Sequence, residues 1–442
     1  MKEPRDDFMR QNPLCAWVAY KIGRPPTRKN ILQHQLDALN RTLLSAQRNS
    51  EFYRQWYAEF SGRALLPRTD DGLLQMQSLE QLCLLPTMDE ALLRTQGQAM
   101  LCTSQKEIHR IVTLQTSGTT QNPKRLCFTQ KDIQSTVDFF EYGLQNLAPA
   151  GARACILFSA KRPDSVGDIL LQSFHRIAIP AFAAPLEETV EKNWAFFLEN
   201  RCSVLLGHPV QILALGRYGK SQGGSLPAMH GILVSGEPVS DKMKARLESL
   251  WHCPVIRHYG LTETAYGGAV SCGAEGQHIR EIDLLFEILE PKTQAPVKDG
   301  SYGEIVISTL DREAMPVLRY RTGDRGRLLP SPCTCGCALR RLADRVERLG
   351  DTQGHPLPPQ VIQGQLDELL FDQPQITNYR CSVSKKQRKL TLQIQHVSPI
   401  ESEPMQRKLR CLPAFADYEI EIQTTPFTQM LNNVKRSLEW VD

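Results

Sequence analysis

No apolar run in these 442 residues approaches the roughly 20 residues that a bilayer core demands. The opening MKEPRDDFMR also lacks the apolar core of a secretory signal. A strong charge of one sign is missing as well. Lys and Arg number 52 against 48 Asp and Glu, a formal +4, and the cations are dispersed along the chain. Such a balance leaves no electrostatic footprint for nucleic acid or a membrane surface. Repeats and low-complexity tracts are absent too. The expectation is a soluble cytoplasmic protein.

The length exceeds what a single core usually fills, about 250 to 300 residues, so more than one domain is expected. The 13 cysteines are an odd number, and most stand alone within apolar segments, as Cys127, Cys155 and Cys202 do. In a reducing compartment these read as small buried hydrophobes. Only the cluster Cys333, Cys335 and Cys337 departs from that pattern.

Gln33 to Arg54 has helical spacing, with Leu36, Leu39, Leu43 and Leu44 on one side, and a short helix is expected around Met88 to Leu93. From Ile111 onward short apolar runs alternate with helical segments: 154–158, 177–182, 204–206, 231–234 and 254–256. That alternation predicts α/β layers with largely buried strands, whose ligands collect at the loops after the strands. Past Thr264 the chain becomes richer in β-structure, with strands predicted at 282–289 and 303–307. From about Asp344 a small α+β unit is expected: a helix over 361–370 and strands over 379–384, 389–395 and 418–423.

The stretch Thr116 to Lys124, TSGTTQNPK, lies between the apolar runs 111–114 and 125–129, and so predicts a strand, a polar loop and a second strand. Gly118 lets backbone N–H groups approach an anion, the hydroxyls of Ser117, Thr119 and Thr120 can donate to phosphate oxygens, and Lys124 can neutralise polyphosphate charge. It is not a Walker loop, because a β-type run follows where that motif starts a helix. The helix comes later, opened by the capping box Thr129-x-x-Asp132, with Ile133, Val137, Phe140, Leu144 and Leu147 along one face. Taken alone, TSGTTQNPK suits a nucleotide cradle and a ligand-free hairpin turn equally.

Four further motifs follow: Ser235-Gly236-Glu237-Pro238, Tyr259-Gly260-Leu261-Thr262-Glu263, Tyr320-Arg321-Thr322-Gly323-Asp324 and a near-terminal Lys435. With the loop they stand in the order of the adenylate-forming enzymes, and the chain resembles the phenylacetate-CoA ligase branch of that superfamily, which includes acyl-CoA synthetases and deazaflavin adenylyltransferases. The resemblance implies the adenylate-forming fold, with a large multi-layer α/β N-terminal domain (1–343) and a small α+β C-terminal lid (344–442). It implies ATP-dependent adenylation of an organic carboxylate, aryl or small, followed by transfer to coenzyme A with release of AMP. An alternative keeps adenylation but uses a deazaflavin hydroxyl or a carrier-protein thiol as acceptor, and another retains the nucleotide site without turnover. A homodimer is implied only at the level of the family.

Residue by residue, the resemblance gives the β- and γ-phosphates to Ser117, Gly118, Thr119, Thr120 and Lys124. The adenine would be bordered by Ser235, Gly236, Glu237 and Pro238, continued by His258, Tyr259 and Gly260. Thr262 would contact the α-phosphate, Glu263 would bind Mg²⁺, and Asp324 would accept from the ribose hydroxyls. Arg345 matches the hinge arginine and Lys435 the lid lysine of adenylation. Three positions depart from the family pattern: Gln121 replaces a glycine of the phosphate loop, Asp344 replaces a glycine of the hinge, and Glu347 replaces an aspartate there.

For the cysteine cluster the resemblance adds an upstream Cys and His, here Cys272 and His278, which with Cys333 and Cys335 would close a tetrahedral structural zinc site. Idle thiols are the other reading of a Cys-x-Cys turn, with Cys337 a bystander or a substitute ligand. The acyl pocket is expected from residues 182–185, 207–209 and 267–268. His208 is open there to either a carboxylate contact or a helix cap.

Overall fold

The computed structural model describes residues 12–61, 67–114, 123–349, 359–428 and 436–441. Its contacts divide the chain into two compact units, 1–146 with 258–346, and 147–257 with 347–442.

In the first unit, the helix Pro13–Ile22 starts on an Asn12 cap and stops at Gly23. The helical spacing from Gln33 to Arg54 becomes two helices, Arg28–Asn49 and Glu51–Ser61. Ser50 makes the break: its backbone is extended, and its hydroxyl donates to the carbonyl of Ala99 at 2.7 Å. The strands Arg110–Leu114 and Lys124–Phe128 pair as an antiparallel hairpin. The helix Gln130–Gly143 follows with its Thr129–Asp132 capping box formed. Leu144 and Leu147 lie past its last turn, since the chain tightens at Leu144–Asn146 and Pro149 bars continuation. Three antiparallel strands, Leu284–Leu289, Gly303–Thr309 and Tyr320–Gly326, stand in that order, over a core that includes Phe286, Ile305 and Ile307.

The second unit carries the parallel strands anticipated from the alternation, ordered Ala181–Ala183, Ala154–Ile156, Val204–Gly207, Gly231–Val234 and the start of Val255–Tyr259. Every residue of Val204–Gly207 and Gly231–Val234 is buried, which is why they read as continuous apolar runs. The run at 177–182 yields a strand only over Ala181–Ala183, because Ala178 turns through φ +54° after the helix Val166–Arg176. The C-terminal strands order as Glu419–Pro426, Lys389–His396, Ile376–Ser384 and Ser437–Trp440, antiparallel at the centre and parallel at both flanks.

Residues 347–442 share one hydrophobic core with 147–257, running through Leu213, Trp251, Leu366, Phe371 and Tyr379. Arg217, on the helix Pro209–Ser221, is buried and donates to the carbonyls of Phe371 at 2.7 Å, Gln373 at 2.8 Å and Ile376. Burial pushes its pKa down to about 10, still charged at neutral pH. Its charge is spent capping the chain where the helix Pro359–Phe371 ends.

Candidate active site

Lys124 opens the second strand of the hairpin and is 6% exposed. Its ammonium lies 2.7 Å from Oε1 of Glu263 and 3.3 Å from Oε1 of Glu90. The hydroxyl of Tyr320 donates to the same Glu263 oxygen at 2.8 Å. Glu263 sits in a one-turn 3₁₀ segment, Thr262–Thr264, which ends where Ala265 and Tyr266 adopt φ of +52° and +73°. A Cβ on Gly260 would stand 1.8 Å from the carbonyl oxygen of Tyr266, so this reversal tolerates only glycine there.

The hydroxyl of Tyr259 donates to Asp324 at 2.8 Å. Burial and the Asp324 charge push the phenol well above its usual pKa, so it stays a donor. His258 packs edge-on against Phe140, and desolvation with the nearby Arg280 charge lowers its pKa to about 4. The ring is neutral at pH 7. Two candidate pairs therefore meet within the first unit, Lys124 with Glu263 and Tyr259 with Asp324. Arg345 is exposed, and Asp344 accepts from the backbone N–H of Gly276 at 3.3 Å. Ser117, Gly118, Thr119, Thr120, Gln121 and Lys435 lie outside the described residues.

The Ser235–Pro238 loop belongs to the second unit. Gly236 has φ +89°, and a Cβ there would stand 2.3 Å from the His208 ring. Glu237 accepts from Arg436 at 3.1 Å, and the Pro238 carbonyl accepts from the same guanidinium at 2.9 Å. His208 stands at the N-cap position of Pro209–Ser221, where its backbone N–H donates to Gln211 Oε1 at 3.3 Å, and its ring packs edge-on against Phe158.

Two participants had no signal in the one-dimensional pattern. Glu90 resembles an ordinary first-turn helix acid, yet it reaches Lys124, and Arg94 holds it at 2.5 Å. Arg436 follows a lysine in a polar tail, yet it is buried beside two carboxylates.

Cys272, His278, Cys333 and Cys335 converge, with their ligand atoms all within 4.8 Å of one another. The Cys272 and Cys333 sulfurs are 3.7 Å apart, and His278 Nε2 is 3.2 Å from the Cys335 sulfur. Tetrahedral zinc with thiolates at about 2.3 Å sets sulfurs about 3.8 Å apart, so the donor set fits that ion. The His278 Nδ1 faces the carbonyl of Leu339 at 3.4 Å, which favours the tautomer whose Nε2 can ligate. Cys337 is not among the four and is buried beside Cys15 instead.

The family model described as AMP-binding enzyme matches residues 74–310. Phenylacetate-coenzyme A ligase of Pseudomonas putida is 27% identical over 313 residues, 67% of this chain and 66% of that protein. The Thermus thermophilus ligase of the same name is 27% identical over 243 residues, 53% of this chain and 54% of its own. The chain thus spans less than two thirds of the length of these curated relatives. Among solved structures, 2-hydroxyisobutyryl-CoA ligase in the postadenylation state has a TM-score of 0.72 at 17% identity, covering 99% of this chain and 92% of that one. At that identity the likeness establishes the adenylate-forming fold. None of the described helices is long and apolar enough to cross a membrane. The chain belongs to the AMP-binding enzyme family, in the phenylacetate-CoA ligase branch of the adenylate-forming enzymes.

Proposed function

We propose that the protein is an AMP-forming carboxylate-CoA ligase acting on an aryl or other small organic acid. A carboxylate oxygen attacks the α-phosphorus of ATP as the bond to pyrophosphate breaks. The coenzyme A thiolate then attacks the acyl carbon, and AMP leaves. The observation that carries the reading is the buried Lys124–Glu263–Tyr320 cluster, a cation and a carboxylate held together in an enclosed setting. In such a setting fixed charges stabilise a polyanionic transition state more strongly than they would in water.

In this reading Lys124, with Ser117, Gly118, Thr119 and Thr120, meets the β- and γ-phosphates, while Thr262 contacts the α-phosphate. Asp324, oriented by Tyr259, accepts from the ribose, and Ser235, Gly236, Glu237 and Pro238 border the adenine with His258 and Gly260. Mg²⁺, when bound at Glu263, supplies charge neutralisation at the phosphates. Arg345 serves the pivot. Arg436 is committed to buried carboxylates, and Lys435 is the cation assigned to the reacting carboxylate and α-phosphate.

The test is carboxylate-dependent exchange of pyrophosphate into ATP over a panel of aromatic and short aliphatic acids, followed by CoA-dependent AMP release with the best acid. Exchange with CoA-dependent AMP release is expected. Exchange without that dependence points to another acceptor, and ATP binding without exchange for any acid overturns the proposal.

We also propose that Cys272, His278, Cys333 and Cys335 hold a structural zinc. Four protein ligands leave no position for water, so the ion would brace the turn 333–337 against the strand Gln277–Ile279. One zinc per chain is expected in the purified protein, falling below one tenth in Cys335→Ser, as read by elemental analysis after gel filtration. A metal-free wild type removes the idea.

A further inference from the structure

We infer that Asn12 is a positioning residue of the cysteine–histidine cluster, fastening the helix Pro13–Ile22 to the metal site through a hydrogen bond to the Cys335 sulfur. The inference rests on the zinc reading above and goes beyond it. Asn12 is 3% exposed, and its Nδ2 lies 3.0 Å from that sulfur across 323 residues of chain. The other end of the same amide is also engaged: Oδ1 accepts the backbone N–H of Leu14 at 3.0 Å, capping Pro13–Ile22. Exchanging oxygen and nitrogen would set an NH₂ against an N–H, so the cap itself directs the amide N–H at the sulfur.

The direction suits a metal thiolate. Three thiolates and a neutral imidazole around Zn²⁺ carry a net charge of −1, and an N–H donor to one sulfur disperses that charge and fixes the ligand's rotamer. It also couples two distant parts of the chain. Whatever strengthens Cys335 as a ligand tightens the seat of the helix, and loss of the metal loosens it by the same free energy.

Serine and aspartate cap helices about as well as asparagine, so they separate the two roles of this side chain. Asn12→Asp keeps the cap but places a carboxylate against the thiolate, and Asn12→Ser keeps the cap but is too short to reach it. The experiment loads full-length wild type and both variants with zinc and follows transfer to a chromogenic chelator, with thermal melts as the check on folding. Zinc retention about 10- to 100-fold weaker is expected in both variants. Hydrogen exchange across residues 13–22 is expected to rise when wild type is stripped of metal. Should Asn12→Asp not fold, Asn12→Ser with Co²⁺ in place of zinc reads the same contact as a shift of the thiolate-to-metal band. Release within twofold of wild type, or an unshifted band, overturns the inference and leaves the zinc site intact. A wild type that takes up no zinc overturns both, so the two failures are distinguishable.

Discussion

Glu263→Gln will lower carboxylate-dependent pyrophosphate exchange by about 10²- to 10³-fold with little change in melting temperature. The substitution keeps the shape of the side chain, and its amide oxygen can still accept from Tyr320, which now donates to Glu263 at 2.8 Å. What it removes is one negative charge. Lys124 keeps Glu90 at 3.3 Å as a counter-ion, so its buried ammonium is not stranded. If Glu263 served only to hold Lys124 in place, the variant would bind ATP differently but respond to Mg²⁺ as wild type does. If it is the carboxylate that receives the metal, the Mg²⁺ concentration for half-maximal exchange must rise as well. Exchange within threefold of wild type at an unchanged Mg²⁺ requirement would falsify the assignment. Lys124→Met provides the comparison, because it should raise KM for ATP without moving the Mg²⁺ requirement.

Much of this cluster was legible before any coordinates, for a physical reason. Parallel strands covered on both faces must be apolar throughout, so 204–207 and 231–234 announced themselves, and the polar sequences after such strands are where α/β folds bind ligands. Gly236 and Gly260 stand where a Cβ would collide with His208 or the Tyr266 carbonyl, so their motifs carry backbone information a sequence can display. Tertiary pairings between distant residues had no such signature. The break at Ser50 depends on a carbonyl 49 residues away, and periodicity alone ran the helix through it. Glu90 meets Lys124 only once the short helix Glu90–Gln96 packs beside the hairpin. Asn12 and Cys335 are farther apart still. The motifs marked which segments matter, and folding supplied the residues that hold them.

Arg436→Met will destabilise the unit formed by 147–257 and 347–442 by about 3 to 5 kcal/mol, the usual result of removing one member of a buried ion pair. The side chain is 2% exposed and lies between Glu237, 5% exposed, and Asp367, 10% exposed. Its guanidinium also donates to the Pro238 carbonyl, and the Tyr379 hydroxyl supports Asp367 at 2.6 Å. Burial alone would lower the arginine pKa, but the two carboxylates outweigh it and raise it above its usual value. The guanidinium thus stays charged at every accessible pH, and the expected loss should be flat across neutral pH. The penalty in Arg436→Met is the repulsion and desolvation of carboxylates that no longer share a cation. It should therefore shrink when those charges are removed: adding Glu237→Gln and Asp367→Asn is expected to restore at least half of the loss. Hydrogen exchange of the helix Pro359–Phe371 reads the effect locally, where a single unfolding midpoint would blur two units. A shift under 1 kcal/mol, or a triple variant less stable than the single one, would mean that the core through Phe371 and Tyr379 holds this unit together without help from the ion cluster.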